Sequence, residues 1–220
     1  MLFDLDGTLT DSRLGIVRCF RYALASLERS CPSDEVLASF IGPPLRSAFA
    51  ALLKSSDPGP IEAAMSLYRR RQSEVGLFEN QVYEGVPEML EGAKNAAAAL
   101  FVVTSKLTVF AERVISHFGL KHHFAGIYGS ELGGRFEDKG DLVAHLLITE
   151  GVRPELAVMV GDRAVDIRAA RTNGIRSVGV LWGYGSRREL VDADVDELCT
   201  MPIDLGRCLS NIAVLPGHFE

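Results

Sequence analysis

The sequence has little of what marks disulfide-rich, membrane-spanning or nucleic-acid-binding proteins. It contains four cysteines among 220 residues and no CxxC pair, which argues against a disulfide framework or a zinc ribbon. No apolar run reaches the roughly 18 residues that a membrane span requires. Lysine and arginine total 23 against 29 acidic residues, so no general basic surface is expected. Together with acidic residues close to Met1, these absences predict a cytoplasmic protein with neither a membrane nor a nucleic-acid partner.

Short apolar runs separated by helix-period stretches indicate an α/β fold. The runs are typical of buried parallel strands and lie before Asp4 and at 99–104, 124–129, 156–161 and 176–182. Three of the helical stretches end in glycine, as helix C-termini often do. This alternation predicts a doubly wound, mostly parallel sheet. The first strand is expected to be short, because only three residues precede Asp4.

The segment from residue 13 to 80 breaks this rhythm, since it contains no convincing strand. Apolar residues recur there at three-to-four spacing, and turns rich in proline and glycine separate the stretches. We therefore expect a helical domain at 13–80, inserted into a core domain made of residues 1–12 and 81–220. Within the helical domain, "YRRRQ" at 68–72 is interpreted as a solvated helix face.

Chemically active side chains follow the predicted strands, at the edge where open α/β sheets bind their ligands. They are Asp4 with Asp6, Thr104 with Ser105, Asp162 with Asp166, and Lys139 at the start of a helix. The carboxylates of Asp4 and Asp6 repel each other unless a cation lies between them. A few oxygen ligands suit Mg²⁺, which keeps several waters and pairs with substrate phosphates. The sequence therefore predicts a Mg²⁺ and phosphate site at this edge.

These residue types also suit phosphoryl transfer. One carboxylate can attack phosphorus and form an aspartyl-phosphate, and a second can move the proton, worth about 10² to 10⁴ in rate. Thr104 and Lys139 are expected to hold phosphoryl oxygens. Ser105 and Lys106 follow Thr104 directly and are candidate substrate contacts. Arg46 begins a helix of the inserted domain and is either a partner for a second anionic group of the substrate or a surface arginine.

The segments "DLDGTLTDS", "VVTSK", the lone Lys139 and "GDRAVD" resemble, in this order, the four motifs of the haloacid dehalogenase superfamily of phosphohydrolases. "FIGPPL", "KGDLVAHLL" and "WGYGSRREL" make the chain look most like the phosphoglycolate phosphatase group of that family. The resemblance implies a cap that opens and closes over the core, with Asp4 as nucleophile and Asp6 as acid and base. It also implies phosphate binding by Thr104 and Lys139. The implied metal residues are Asp4, Asp6 (also through its backbone carbonyl), Asp162 and Asp166.

The leading interpretation is a Mg²⁺-dependent phosphatase acting on a small phosphorylated metabolite. A phosphomutase or phosphotransferase on the same scaffold would share the aspartyl-phosphate and differ in the acceptor. A dehalogenase would need no metal, which the further acids Asp6, Asp162 and Asp166 argue against. A receiver-like signalling module would be near half this length and would lack the helical insertion. Phosphoglycolate, nucleoside monophosphates (a 5'-nucleotidase), pyrophosphate and sugar phosphates all stay open as substrates, and the oligomeric state is not readable from the sequence.

Overall fold

The fold was analysed in a computed structural model that describes residues 1–96 and 99–212. Residues 97–98 and 213–220, which belong to the expected core domain, lie outside the described residues. The strands in the described residues are β1 (Leu2–Phe3), β2 (Thr10–Asp11), β3 (Gln81–Val82), β4 (Phe101–Leu107), β5 (Gly126–Ser130), β6 (Val158–Gly161), β7 (Arg176–Val180) and β8 (Glu197–Cys199). All four runs predicted after Asp4 therefore contain a strand.

Six of these strands form one parallel sheet in the order β5-β4-β1-β6-β7-β8. The two residues of β1 suffice for a central strand because Leu2 and Phe3 are fully buried and pair with β4 on one side and β6 on the other. The direction of winding reverses at β1, so the carboxyl ends of β1, β4 and β6 border the crevice where such sheets bind ligands. The predicted doubly wound α/β fold is confirmed.

Residues 13–76, called the helical insert below, have an apolar centre of their own. The helices are α1 (Arg13–Ser26), α2 (Asp34–Ala38), α3 (Leu45–Leu53) and α4 (Pro58–Arg71), and α4 continues as a π-helical turn over Gln72–Gly76. Phe20, Phe49 and Tyr68 meet at the centre with ring centroids 5.0 to 6.0 Å apart. Asp57 caps α4 by accepting a hydrogen bond from the Gly59 amide at 3.0 Å. The helical insert lies within the segment 13–80 in which helices were expected.

Strands β2 and β3 connect the helical insert to the core. They pair antiparallel, Thr10 with Val82 and Asp11 with Gln81. Each strand has two residues, which is too short to give an alternating pattern, so neither was expected from the sequence. The chain therefore enters and leaves the helical insert at adjacent points.

Helices cover both faces of the core sheet. In the described residues they are α5 (Val86–Ala96), α6 (Thr108–His117), α7 (Lys139–Thr149), α8 (Ala164–Thr172), α9 (Arg187–Asp192) and α10 (Leu205–Asn211). Phe3 packs with α5, α6 and α10, whereas the preceding Leu2 packs with α7 and α8. Successive strand residues thus point to opposite, covered faces, which explains the continuous apolar runs. No helix in the described ranges is long and apolar enough to cross a bilayer.

Candidate active site

Three buried aspartates meet where β1 and β6 end. Asp4 directly follows β1, Asp162 directly follows β6, and Asp166 lies in the first turn of α8. One carboxylate oxygen from each lies within 4.8 Å of the others. The three residues are at most 3 % exposed. Three carboxylates this close together and this deeply buried repel one another unless a cation lies nearby.

Lys139 supplies one positive charge to this cluster. It is the first residue of α7, and its Nζ lies 2.9 Å from Asp4 Oδ1 and 2.6 Å from Asp166 Oδ1. Burial alone would lower the pKa of Lys139, but the ion pairs with Asp166 and Asp4 outweigh burial and raise it. Lys139 is therefore an ammonium. The Asp138 carboxylate caps the same helix by accepting from the Gly140 amide at 2.7 Å, which offsets a lysine at the positive helix end.

The three carboxylates still carry two more negative charges than Lys139 balances. Burial raises the pKa of Asp4 to about 6 against the opposing effect of Lys139. Burial, followed by the charges of Asp166 and Asp4, raises the pKa of Asp162 well above its usual range. A divalent cation with oxygen ligands would remove this penalty, so the donor set fits an ion of the Mg²⁺ type.

Two loops hold Asp162 in place. The Tyr184 amide donates to Asp162 Oδ2 at 2.7 Å, and Thr8 Oγ1 donates to Oδ1 at 3.3 Å. Gly7 has φ +92°, and a Cβ at this position would lie 2.3 Å from Asp162 Oδ2, so only glycine fits. Trp182 Nε1 donates to the Thr8 carbonyl at 2.9 Å and ties the loop after β7 to the loop after β1.

The structure does not bring the Asp6 side chain into the aspartate cluster. Strand β1 ends at Phe3, so the alternation that would send Asp4 and Asp6 the same way does not apply. The Asp6 carboxylate lies instead 2.6 Å from the ammonium of Lys106, whose side chain is 4 % exposed. A metal contact through the Asp6 backbone carbonyl stays a prediction.

Thr104, Ser105 and Lys106 line a cavity beside Asp4. Strand β4 does not end at Thr104 but continues to Leu107, with an irregularity in its pairing between these two residues. Thr104 is buried, and its Oγ1 accepts a hydrogen bond from the Lys106 amide at 3.3 Å. Ser105 Oγ is buried and has no hydrogen-bond partner among the described residues. The cavity wall therefore holds hydroxyl donors for an oxyanion.

The helical insert forms the other wall of this cavity, whose volume is about 80 Å³. Its apolar contribution comes from α1, the α2–α3 loop and the start of α3, through Ile16, Phe20, Phe40, Ile41 and Leu45. Tyr68, Arg69 and Gln72 line the cavity from α4 and the turn that follows it. The interpretation of "YRRRQ" as a solvated helix face is therefore wrong, because Tyr68 and Gln72 are buried and Arg69 borders the cavity.

Arg46 is not among the residues that line the cavity. Its guanidinium pairs with Glu62 and, at 3.4 Å, with Glu137, and 39 % of its side chain is exposed. Both partners are carboxylates, so the positive charge of Arg46 is already balanced. In this arrangement Arg46 matches the surface-arginine alternative.

Arg163, inside the "GDRAVD" motif, joins the core to the helical insert. Its Nε donates to Glu189 Oε1 at 2.8 Å, and its guanidinium donates to the backbone carbonyls of Ile41 and, at 3.5 Å, Ser39. Gly42 packs against Arg163 with φ +106°. Sequence reasoning missed this contact, because nothing in the motif distinguishes an arginine that reaches another domain from one in solvent.

Comparison with known proteins agrees with this geometry. A family model described as haloacid dehalogenase-like hydrolase matches residues 1–180. The chain is 44% identical over 190 residues to a 5'-nucleotidase of Pseudomonas aeruginosa, covering 86% of each chain. It is 38% identical over 192 residues to the tyrosine-protein kinase PtkA of Mycobacterium tuberculosis, covering 87% of this chain and 65% of that protein.

The fold agrees as well. The crystal structure of a predicted phosphatase from Clostridium acetobutylicum matches with a TM-score of 0.90 and 35% identity, covering 94% of this chain and 95% of that one. Motifs, fold and the aspartate cluster beside Lys139 thus point the same way. The chain belongs to the haloacid dehalogenase-like hydrolase family.

Proposed function

We propose that this chain is a Mg²⁺-dependent phosphatase that hydrolyses a small phosphomonoester through an aspartyl-phosphate on Asp4. The observation that carries the proposal is the position of Asp4. Its buried carboxylate pairs with the ammonium of Lys139, lies close to two further aspartates, and borders a cavity lined by Thr104 and Ser105. A nucleophile, its counter-charges and donors for the transferring oxygens are thereby within one site.

Asp4, Asp162 and Asp166 are the residues that would hold the cation. When bound, Mg²⁺ would screen the charge of the phosphoryl oxygens and of the nucleophile. Lys139 offsets the repulsion between Asp4 and Asp166 by pairing with both. Asp166 is fixed further by the Arg163 amide, which donates to its Oδ2 at 2.9 Å. The chain therefore positions these carboxylates through neighbouring backbone and side-chain groups.

The reaction would have two steps. An Asp4 carboxylate oxygen attacks phosphorus while the bond between phosphorus and the leaving oxygen breaks, and Asp6 gives its proton to that oxygen. Water then attacks phosphorus and passes a proton to Asp6, and the bond between phosphorus and Asp4 breaks. The products are an alcohol and inorganic phosphate, with Asp4 and Asp6 restored.

Lys106 couples Asp6 to the arrival of substrate. Without substrate its ammonium pairs with Asp6 at 2.6 Å. An entering phosphoryl group carries negative charge and competes with Asp6 for this ammonium. Release of Asp6 from the ion pair leaves its carboxyl group free to act on the leaving oxygen.

The helical insert would act as the cap of the site. It closes one wall of the cavity with apolar side chains, which supports a role in excluding water during the first step.

The four cysteines are all free, which fits the cytoplasmic location expected from the sequence.

Phosphoryl transfer to an acceptor other than water is the second candidate. The likeness to a protein named as a tyrosine kinase, over 87% of this chain, favours keeping it. The same aspartyl-phosphate would serve both reactions. They differ in whether water or a hydroxyl group of a second molecule attacks phosphorus in the second step.

The test is phosphate release with Mg²⁺ and with EDTA, measured on phosphoglycolate, 5'-nucleotides, pyrophosphate and sugar phosphates. Asp4→Asn is the blank. We expect Mg²⁺-dependent release that is absent from the blank, and the highest kcat/KM identifies the substrate class. Mg²⁺-dependent phosphorylation of an added acceptor without free phosphate would instead favour the transferase. Equal release by Asp4→Asn would refute the nucleophile assignment.

A further inference from the structure

The cavity between core and helical insert holds most of the unsatisfied polar atoms of the described chain. Besides Asp4 Oδ1, which lies 2.9 Å from the Lys139 ammonium, three buried side-chain atoms lack a hydrogen-bond partner among the described residues: Arg69 Nε, Ser105 Oγ and His123 Nδ1. Arg69 and Ser105 both line this one cavity. Buried polar atoms in folded proteins are nearly always hydrogen-bonded. The cavity therefore offers unsatisfied polar groups with which a ligand can form hydrogen bonds.

Arg69 is the unsatisfied polar residue that the helical insert places at the cavity. It lies on α4, and its side chain forms neither an ion pair nor a hydrogen bond with any residue in the described ranges. The two arginines that follow it differ. Arg70 donates to the Tyr22 hydroxyl on the exposed side, and Arg71 pairs with Glu79 at 2.8 Å.

The charges around the cavity single out the same residue. On the core side Lys106 pairs with Asp6, and Lys139 pairs with both Asp4 and Asp166. Arg69 is the cation on the insert side, and its neighbours there are mainly apolar. A partly buried guanidinium beside apolar groups costs free energy unless an anion joins it. No described residue supplies that anion, so the guanidinium of Arg69 is available to an anionic ligand.

We propose that Arg69 selects the substrate by binding a second anionic group, a carboxylate or a further phosphoryl group, on the leaving group of the phosphomonoester. This rests on the proposed function, because the phosphoryl group is placed at Asp4, Thr104 and Ser105. The planar guanidinium matches a carboxylate or phosphate oxygen pair.

The size of the cavity limits the leaving group. Its volume is about 80 Å³, and one water needs roughly 10–15 Å³ on the same measure. The cavity beside the phosphoryl site therefore has room for a handful of heavy atoms. Among compounds with a second anionic group, short phosphorylated acids and pyrophosphate fit this space.

The test compares two substrates of nearly equal size, phosphoglycolate and ethyl phosphate, which differ in the carboxylate. Pyrophosphate is a third arm that separates a second phosphate from a carboxylate. The variants are Arg69→Met and Arg69→Lys, with Arg70→Met as the matched control on the exposed side of the same helix. Thermal unfolding checks that each variant is folded.

For the wild type we expect a higher kcat/KM on phosphoglycolate or pyrophosphate than on ethyl phosphate. Arg69→Met should lower the ratio of kcat/KM on phosphoglycolate or pyrophosphate to kcat/KM on ethyl phosphate, on the order of 10²-fold, as loss of one partner of a charge pair does. Arg69→Lys should recover part of it, and Arg70→Met should leave it unchanged. An equal fall on all three substrates would assign Arg69 to the phosphoryl group and overturn the proposal, as would an unchanged ratio.

A binding measurement separates this proposal from the proposed function. If no compound is hydrolysed, calorimetry of phosphoglycolate and pyrophosphate binding to Asp4→Asn, with and without Arg69→Met, still decides. At least tenfold weaker binding of one of them in the double variant would support the anion subsite although the phosphatase assignment had failed. If each compound binds equally well to Asp4→Asn with and without Arg69→Met, the subsite is overturned. If ethyl phosphate is hydrolysed and Arg69→Met leaves the ratio of kcat/KM values unchanged, the phosphatase assignment stands and only the role of Arg69 is refuted.

Discussion

The core and the helical insert use charge in opposite ways. On the core side, the buried charges contact partners on other elements: Lys139 pairs with Asp4 and Asp166, Lys106 pairs with Asp6, and Asp162 accepts from two loops. The helical insert presents a largely apolar wall, and its cation Arg69 has no counter-charge in the described ranges. The difference supports the two proposals, that the core residues carry out the chemistry and that the insert selects the substrate.

The largest expected effect tests the core side of this comparison. Asp4→Asn should reduce turnover by at least about 10³-fold, because the amide is a poor nucleophile toward phosphorus. The variant should still fold, and in EDTA its thermal midpoint should rise, since one of three clustered negative charges is gone. Steady-state kinetics and thermal unfolding measure the two effects. Turnover within tenfold of the wild type would contradict the assignment.

Lys139→Met should destabilise the core. Removing the ammonium leaves Asp4 and Asp166 buried without their common partner, and breaking a buried ion pair costs about 3–5 kcal/mol. Urea unfolding in EDTA measures the loss in the free energy of unfolding, and Mg²⁺ should restore part of it. The control is Lys121→Met, at an exposed lysine. If both variants lose the same small amount, the charges of the core are not coupled as described.

Metal removal should lower the free energy of unfolding of the wild type, because the clustered aspartates then lose the cation that would offset their charge. Mg²⁺ at one hundred times its Kd should stabilise the folded chain by about 2.7 kcal/mol. Trp182, the chain's one tryptophan, donates to the Thr8 carbonyl, and Thr8 in turn contacts Asp162, so its fluorescence should report binding. Asp162→Asn should abolish both signals. A full response in that variant would place the ion elsewhere.

The smallest expected effect concerns the contact between the two regions. Arg163→Met removes hydrogen bonds to the Ile41 and Ser39 carbonyls, and a hydrogen bond to a charged group contributes about 1.5–3 kcal/mol. We expect KM to rise about tenfold, with a smaller change in kcat, because the helical insert closes less firmly. Arg168→Met, at an exposed position of the same helix, is the control. A fall in kcat at constant KM would argue for a role in the chemistry instead.

Sequence reasoning located the core site better than the insert site, for physical reasons. Parallel strands bring their carboxyl ends to one edge, so Asp4, Thr104 and Asp162 could be grouped without coordinates, although β4 continues past Thr104 to Leu107. The destination of Asp6 was not predictable, because it depends on where β1 ends. Three consecutive arginines span most of a helix turn, so the pattern does not tell that Arg69 borders the cavity.

The paired strands β2 and β3 have a consequence for how such enzymes diversify. Thr10 pairs with Val82 and Asp11 with Gln81, so the strands that lead into and out of the helical insert lie side by side, with opposed Cα atoms about 4.5–5.5 Å apart. A tight turn could close that gap without disturbing the six-stranded sheet. Under the proposed function, replacing the insert whole would be a route to new selectivity that leaves the proposed phosphoryl-transfer residues of the core in place.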